Sequence, residues 1–191
     1  LPLYNGVTSC EIGVLEGSKL EPGPDRPKKR SLPVVFYGTS ITHGGCASRP
    51  GMPHPAILGR RLDRPIINLG FSGNGRMDLE LADLLGELDA CVFVIDCLPN
   101  MNGAAVAERV VPFVKKLRAL KPKTPILLVE DRSFSNSFLL SSKRRHHEAN
   151  RAALKAGFKT LQREGVRRLH YLEGAGLLGN EDTVDGSHPT D

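Results

Sequence analysis

At 191 residues the chain has the length of one α/β domain, which hides roughly 70% of its unfolded surface on folding and needs no disulfide staple. Its apolar share of 40% and charged share of 25% are ordinary for a globular protein, and no apolar run approaches the ~20 residues of a membrane span. The net charge of +5 is concentrated in Pro27-Lys28-Lys29-Arg30 and Lys143-Arg144-Arg145-His146-His147. Neither run is interleaved with the stacking aromatics of single-strand binders, so they read as a solvated loop and a helix start, and no nucleic-acid partner is expected.

Cys10, Cys46, Cys91 and Cys97 form no CxxC pair, and no His stands at metal-ligand spacing from them, so neither metal nor cofactor is expected. Cys91 and Cys97 flank an apolar run and read as reduced core thiols. Compartment and oligomeric state leave no mark on the sequence. The chain opens at Leu1 without a signal-peptide pattern and reads as an excised piece. His188-Pro189-Thr190-Asp191 stops where Pro would set the first turn of a further helix.

In chain order, residues 1–17 carry alternating apolar positions (Val7, Cys10, Ile12, Val14) and predict strands left from an upstream β domain. Residues 18–33 hold four prolines and five basic residues and predict an exposed connection. The compact domain is expected over 34–191. There, short apolar runs at 33–38, 65–70, 91–97, 125–131 and 166–172 predict strands, and 54–62, 78–88, 104–120 and 143–164 have helical spacing. Near-continuous apolar strands separated by helices predict a parallel five-stranded, flavodoxin-like sheet in a three-layer α/β/α sandwich.

In such sheets ligands bind at the carboxyl ends of the strands. Four polar sequences fall there or near the chain's end: Gly38-Thr39-Ser40-Ile41-Thr42, Gly70-Phe71-Ser72-Gly73-Asn74-Gly75, Leu98-Pro99-Asn100-Met101 and Asp185-Gly186-Ser187-His188. Acyl transfer at a serine needs a base, a group that orients the base, and amide donors for the oxyanion. Ser40 fits the nucleophile, His188 the base and Asp185 its orienting carboxylate. The N–H groups of Ser40 and Gly73 and the Asn100 amide fit the donors. Each piece alone has a plainer reading: Ser40 as a helix cap, the glycines and Asn100 as turns, Asp185 and His188 as an Asx turn. Together, in this order, they point to chemistry.

The set resembles the SGNH hydrolases, or GDSL-type lipases and esterases, over residues 33–191. By position, Ser40 in Tyr37-Gly38-Thr39-Ser40-Ile41-Thr42 matches the first block, Gly73 in Asn68-Leu69-Gly70-Phe71-Ser72-Gly73 the second and Asn100 the third. Asp185 and His188 match the Asp-x-x-His of the last. The stretches Thr42 to Met52 and Asp96 to Met101 resemble a bacterial branch in which this domain follows a β-sandwich. Thr39 stands where the family usually has Asp, and Leu98 and Met101 where the third block often reads Gly-x-Asn-Asp. The resemblance implies a serine esterase for short acyl esters, acetyl foremost, on small molecules or carbohydrates. An acyltransferase on the same site, or a non-catalytic nucleotide- or sugar-binding module, is the alternative.

Other residues near these blocks carry weaker expectations. Arg49 reads as a structural ion pair before a substrate contact. His43, three residues past Ser40, is expected not to be the base. Residues 132–142 predict a polar and aromatic loop after the fourth strand, placed to cover substrate, with packing of Phe134 and Phe138 on the domain as the plainer reading. His146 and His147 are expected to face solvent.

Overall fold

The computed structural model describes residues 3–191. Five strands, β1 (Val34–Gly38), β2 (Ile66–Gly70), β3 (Val92–Asp96), β4 (Ile126–Val129) and β5 (Leu169–Leu172), form one all-parallel sheet in the order β2-β1-β3-β4-β5. The helices are α1 (Lys28–Ser31), α2 (Ser40–His43), α3 (His54–Leu62), α4 (Leu79–Gly86), α5 (Gly103–Leu120) and α6 (Ser141–Arg163). This is the expected α/β architecture. Leu1 and Pro2, the start of the expected strand remnant, lie outside the described residues. Residues 3–27 contain neither strand nor helix, and one helical turn, α1, stands inside the expected connection.

Alternation along β1 explains the layering. Val35 and Tyr37 point to the face that α4, α5 and α6 cover, with Phe93, Ile95, Ile126 and Leu128 from neighbouring strands. Val34 and Phe36 point to the other face with Val94 and Val129, where Ile66 meets Gly59 of α3 and Phe36 meets His54 edge-on at 5.7 Å. α5 places Val106, Val110, Phe113, Val114 and Leu117 on one buried stripe, each contributing roughly 1.5–3 kcal/mol of burial. Asn102 caps its start by accepting from the Ala105 N–H at 2.9 Å.

Every expected strand is present but shorter, and β5 shows why. Gly165, at φ 79°, ends α6, and the Val166 N–H closes the helix end by donating to the Leu161 carbonyl at 3.0 Å. Val166 therefore belongs to the cap, and with Arg168 at φ 54° the strand begins only at Leu169.

The parallel register sets Gly38 opposite both Gly70 and Asp96, so three loops leave the sheet from one edge. Asp96 is buried, and its carboxylate accepts from the Thr42 hydroxyl at 3.0 Å, tying α2 to β3. Burial pushes its pKa up to about 7; the Thr42 hydroxyl and Arg132 lower it, and Asp131 raises it. A pKa above the unfolded value means that stability is full below about pH 4 and falls as pH rises to about 7. Asp96→Asn should abolish that slope. Denaturant titrations should show wild type losing on the order of 4 kcal/mol relative to the variant between pH 4 and pH 7, with the difference then constant. Parallel stability curves over that range would refute the assignment.

Candidate active site

Thr39 and Ser40 divide two tasks at the end of β1. Thr39 caps α2, its hydroxyl accepting from the Ile41 N–H at 3.2 Å, so the cap expected of Ser40 in the plainer reading is made by its neighbour. Ser40 opens α2 with its own hydroxyl free to turn outward. Its Oγ lies 2.7 Å from Nε2 of His188, 148 residues away in sequence.

His188 is held by a tight acidic turn. Oδ1 of Asp185 accepts from the backbone N–H groups of Ser187 at 2.9 Å and His188 at 2.8 Å, while Oδ2 accepts from His188 Nδ1 at 2.7 Å. The Asx turn and the carboxylate–imidazole contact, alternatives in the sequence, are thus the same structure. Burial works to raise the Asp185 pKa, but the His188 N–H, its imidazole and the Ser187 N–H outweigh it and hold the group at about 2. Asp185 is therefore ionised at neutral pH, and as a carboxylate it can only accept from His188 Nδ1, which fixes that nitrogen as the protonated one.

The second and third blocks meet Ser40 from the side. Gly73 has φ 73°, a conformation that favours glycine, although a Cβ there would meet nothing within 4 Å. Gly75 is glycine for space: a Cβ would stand 1.9 Å from the Gly38 carbonyl. The Phe71 carbonyl gathers the N–H groups of Asn74 and Gly75, both at 2.9 Å, and the Asn100 side-chain amide at 3.3 Å. Asn100 is thereby oriented with its second amide hydrogen unused by that contact. Ser40, Gly73, Asn100, Asp185 and His188 all line one cavity of about 420 Å³. Among the described residues neither the Ser40 nor the Gly73 N–H donates to a protein acceptor. Cys46 also borders this cavity, and burial and Asp185 raise its thiol pKa.

Three supporting residues escape the sequence reading. Arg132, buried after β4, contacts the Asp131 carboxylate, the Ser187 hydroxyl and, at 3.4 Å, the Ser187 carbonyl. Asn150 of α6, fully buried, donates to the carbonyls of Leu98 at 3.1 Å and Met101 at 3.0 Å and to Asp131 at 2.9 Å. The signal for Asp131 and Arg132 was their place at a strand's carboxyl end. For Asn150 it was a polar residue on the apolar stripe His147, Asn150, Leu154, Gly157 and Leu161. Leu98 and Met101, departures from the usual third block, are buried in the core below α5.

His43 does not reach Ser40. Its Nδ1 contacts the Gly70 carbonyl at 2.7 Å, its Nε2 contacts the Leu3 carbonyl, and Tyr4 stacks on its ring at 4.3 Å. Arg49 pairs with Asp191 at 3.7 Å. Phe134 is buried and Phe138 is 85% exposed, so the plainer reading, packing on the domain, holds for Phe134 and not for Phe138. His147 corrects another expectation: it is buried, stacks on Phe134 and accepts the Phe134 N–H at 3.4 Å, and burial lowers its pKa. A further cavity of about 470 Å³ on the α3 face is lined by apolar sheet residues but includes neither Ser40 nor His188. All four cysteines are free, and among the described residues no group of three or more His, Cys, Asp or Glu is arranged to hold a metal ion. Among the same residues no helix is long and apolar enough to cross a membrane.

Known proteins resemble this chain as follows. A solved Bacteroides ovatus ATCC 8483 protein described as GDSL-like lipase is 36% identical, with a TM-score of 0.82 over 84% of this chain and 48% of its own. A salicylyl-acyltransferase from a tetracycline biosynthetic pathway is 22% identical, with a TM-score of 0.69 over 86% of this chain and 51% of its own. A family two carbohydrate esterase from Clostridium thermocellum, solved in complex with cellohexaose, is 17% identical, with a TM-score of 0.64 over 90% of this chain and 62% of its own. The last two likenesses are of fold, and the chain spans about half the length of the first two. No curated protein matches the chain. The family model described as GDSL-like Lipase/Acylhydrolase matches residues 31–191, and the chain belongs to that family.

Proposed function

We propose that this chain is a serine esterase that hydrolyses short acyl esters, acetyl above all, carried on carbohydrate alcohols. One observation carries the reading: the unbroken line from Ser40 Oγ to His188 Nε2 at 2.7 Å and from His188 Nδ1 to Asp185 Oδ2 at 2.7 Å. In the proposed cycle Ser40 attacks the ester carbonyl while Nε2 takes its proton, and ionised Asp185 stabilises the imidazolium. The Ser40 and Gly73 N–H groups and the Asn100 amide receive the developing oxyanion. His188 then protonates the leaving alcohol, and water repeats the sequence on the acyl-enzyme.

The cavity beside Ser40 is lined largely by polar or side-chain-free residues such as Ser72, Gly73, Asn100 and Arg132 and offers little apolar surface to a long acyl chain, which favours a small acyl group. The side chains of Asp185 and His188 are 50% and 29% exposed, which favours water over a second alcohol as acceptor. The sugar part of the reading draws on the Clostridium thermocellum carbohydrate esterase, whose fold is shared.

In a series of p-nitrophenyl esters alongside acetylated sugars, acetate should turn over fastest, and Ser40→Ala should lower kcat on the order of 10⁴-fold or more. His43→Ala, which removes contacts to the Gly70 and Leu3 carbonyls and to Tyr4, should retain measurable turnover. Full hydrolysis by Ser40→Ala would remove the proposal. Release of transferred acyl product in place of free acid, when a sugar acceptor is added, would replace hydrolase with transferase.

Arg132 acts in this scheme as a positioning residue, since it holds Ser187 next to the base. Arg132→Lys keeps a cation beside Asp131 but loses the forked grip on Ser187. A misplacement of about 1 Å costs about 10²-fold, so kcat should fall by that order while KM changes little. An unchanged kcat, or a loss confined to KM, would refute positioning.

A further inference from the structure

His188 stands between two cavities. The first, described above, holds Ser40 and the amide donors. The second, of about 500 Å³, shares Pro99, Arg132, Asp185, Ser187 and His188 with it but is bounded on the far side by Phe134, Ser142, Lys143 and His146. Ser40, Gly73 and Asn100 are not part of its wall. An ester has two arms, and the alcohol arm must leave next to the imidazole that protonates it. If the acyl arm sits with the amide donors, the second cavity is where the alcohol arm goes.

The charges around this second cavity do not cancel. Arg132 is paired with Asp131. The carboxylate of Asp185 faces the His188 ring at 2.7 Å, and in the proposed cycle its charge is balanced by the imidazolium that must protonate the leaving alcohol. Nε2 of His146 lies 3.9 Å from Asp131. Lys143 is left: its Nζ lies 4.7 Å from the centroid of the Phe134 ring, and among the described residues it makes no ion pair. The Arg132 guanidinium carbon lies 4.0 Å from the same centroid, so the aromatic wall is flanked by two cations. No acidic residue stands in the first turn of α6 to offset Lys143.

Resting on the esterase reading above, we propose that this second cavity is the leaving-alcohol subsite and that Lys143 selects alcohols bearing a carboxylate, such as an acidic sugar. One uncompensated ammonium matches a monoanion, and the Phe134 wall suits the ring of the alcohol. The acyl group is read on one side of His188 and the charge of the alcohol on the other.

The probes are 3-acetoxybenzoate and its neutral counterpart 3-acetoxybenzamide, compared as a ratio of kcat/KM values at low salt. In Lys143→Gln the ratio of anionic to neutral ester should fall about five-fold relative to wild type, and in Lys143→Glu further. Added salt should lower the wild-type ratio toward that of Lys143→Gln. Lys159→Gln, an exposed change farther along α6, should keep the wild-type ratio. A ratio unchanged in Lys143→Gln and Lys143→Glu, or lowered equally by Lys159→Gln, would overturn the subsite. If Ser40→Ala is inactive on both esters while the Lys143 variants keep the ratio, only this inference fails; if Ser40→Ala cleaves both, the esterase reading fails with it.

Discussion

The arrangement depends on how closely the first two loops approach each other at one edge of the sheet. Parallel register sets Gly38 beside Gly70 and Asp96, and the loop after β2 folds back until Gly75 touches the Gly38 carbonyl. The Phe71 N–H donates to that same carbonyl at 3.0 Å, and the Phe71 carbonyl in turn orients Asn100. A side chain at Gly75 would wedge the loops apart, and Gly73 and Asn100 would leave the neighbourhood of Ser40 together. The site is therefore a consequence of backbone contact first and of side-chain chemistry second.

Three buried carboxylates at the ends of β3 and β4 show how the surroundings decide what a charge does. Asp131 has Arg132 and the Asn150 amide. Glu130 has the Tyr171 hydroxyl, the Gly174 N–H at 2.7 Å and Arg151 at 3.7 Å. Asp96 has a single hydroxyl, from Thr42, and lies near the negative Asp131. A buried carboxylate that lacks enough donors holds its proton more tightly, and burial pushes Asp96 up to about 7. The same economy of donors explains Asp185, which sits near the surface with three of them and stays ionised.

Much of the fold was legible because the strands are apolar on both faces and the long helices repeat with a clear period; α5 shows both a cap and a five-residue stripe. The short pieces were not, since α1, α2 and the turn at Leu98–Asn100 are too brief to carry a period. At the site, the residues now gathered around one cavity were legible through their order at strand ends. Arg132 and Asn150 were hidden because their partners, Ser187 and the Leu98 and Met101 carbonyls, are distant in sequence or lie in the backbone. His147 was misjudged for a related reason: a basic run at a helix start looks solvated, but the stripe that buries Leu154 also buries the residue seven positions before it.

Thr39 shows why a departure from a family pattern can leave the geometry whole. An N-cap spends its side-chain oxygen on a backbone N–H, and a serine used that way has less freedom to face an imidazole. Here the cap falls one residue earlier, on Thr39, whose hydroxyl accepts from Ile41 and is fully buried. Thr and Asp both make good caps, so replacing one by the other preserves the start of α2. Ser40 is then one position inside the helix with its hydroxyl uncommitted, and the contact it makes is with His188.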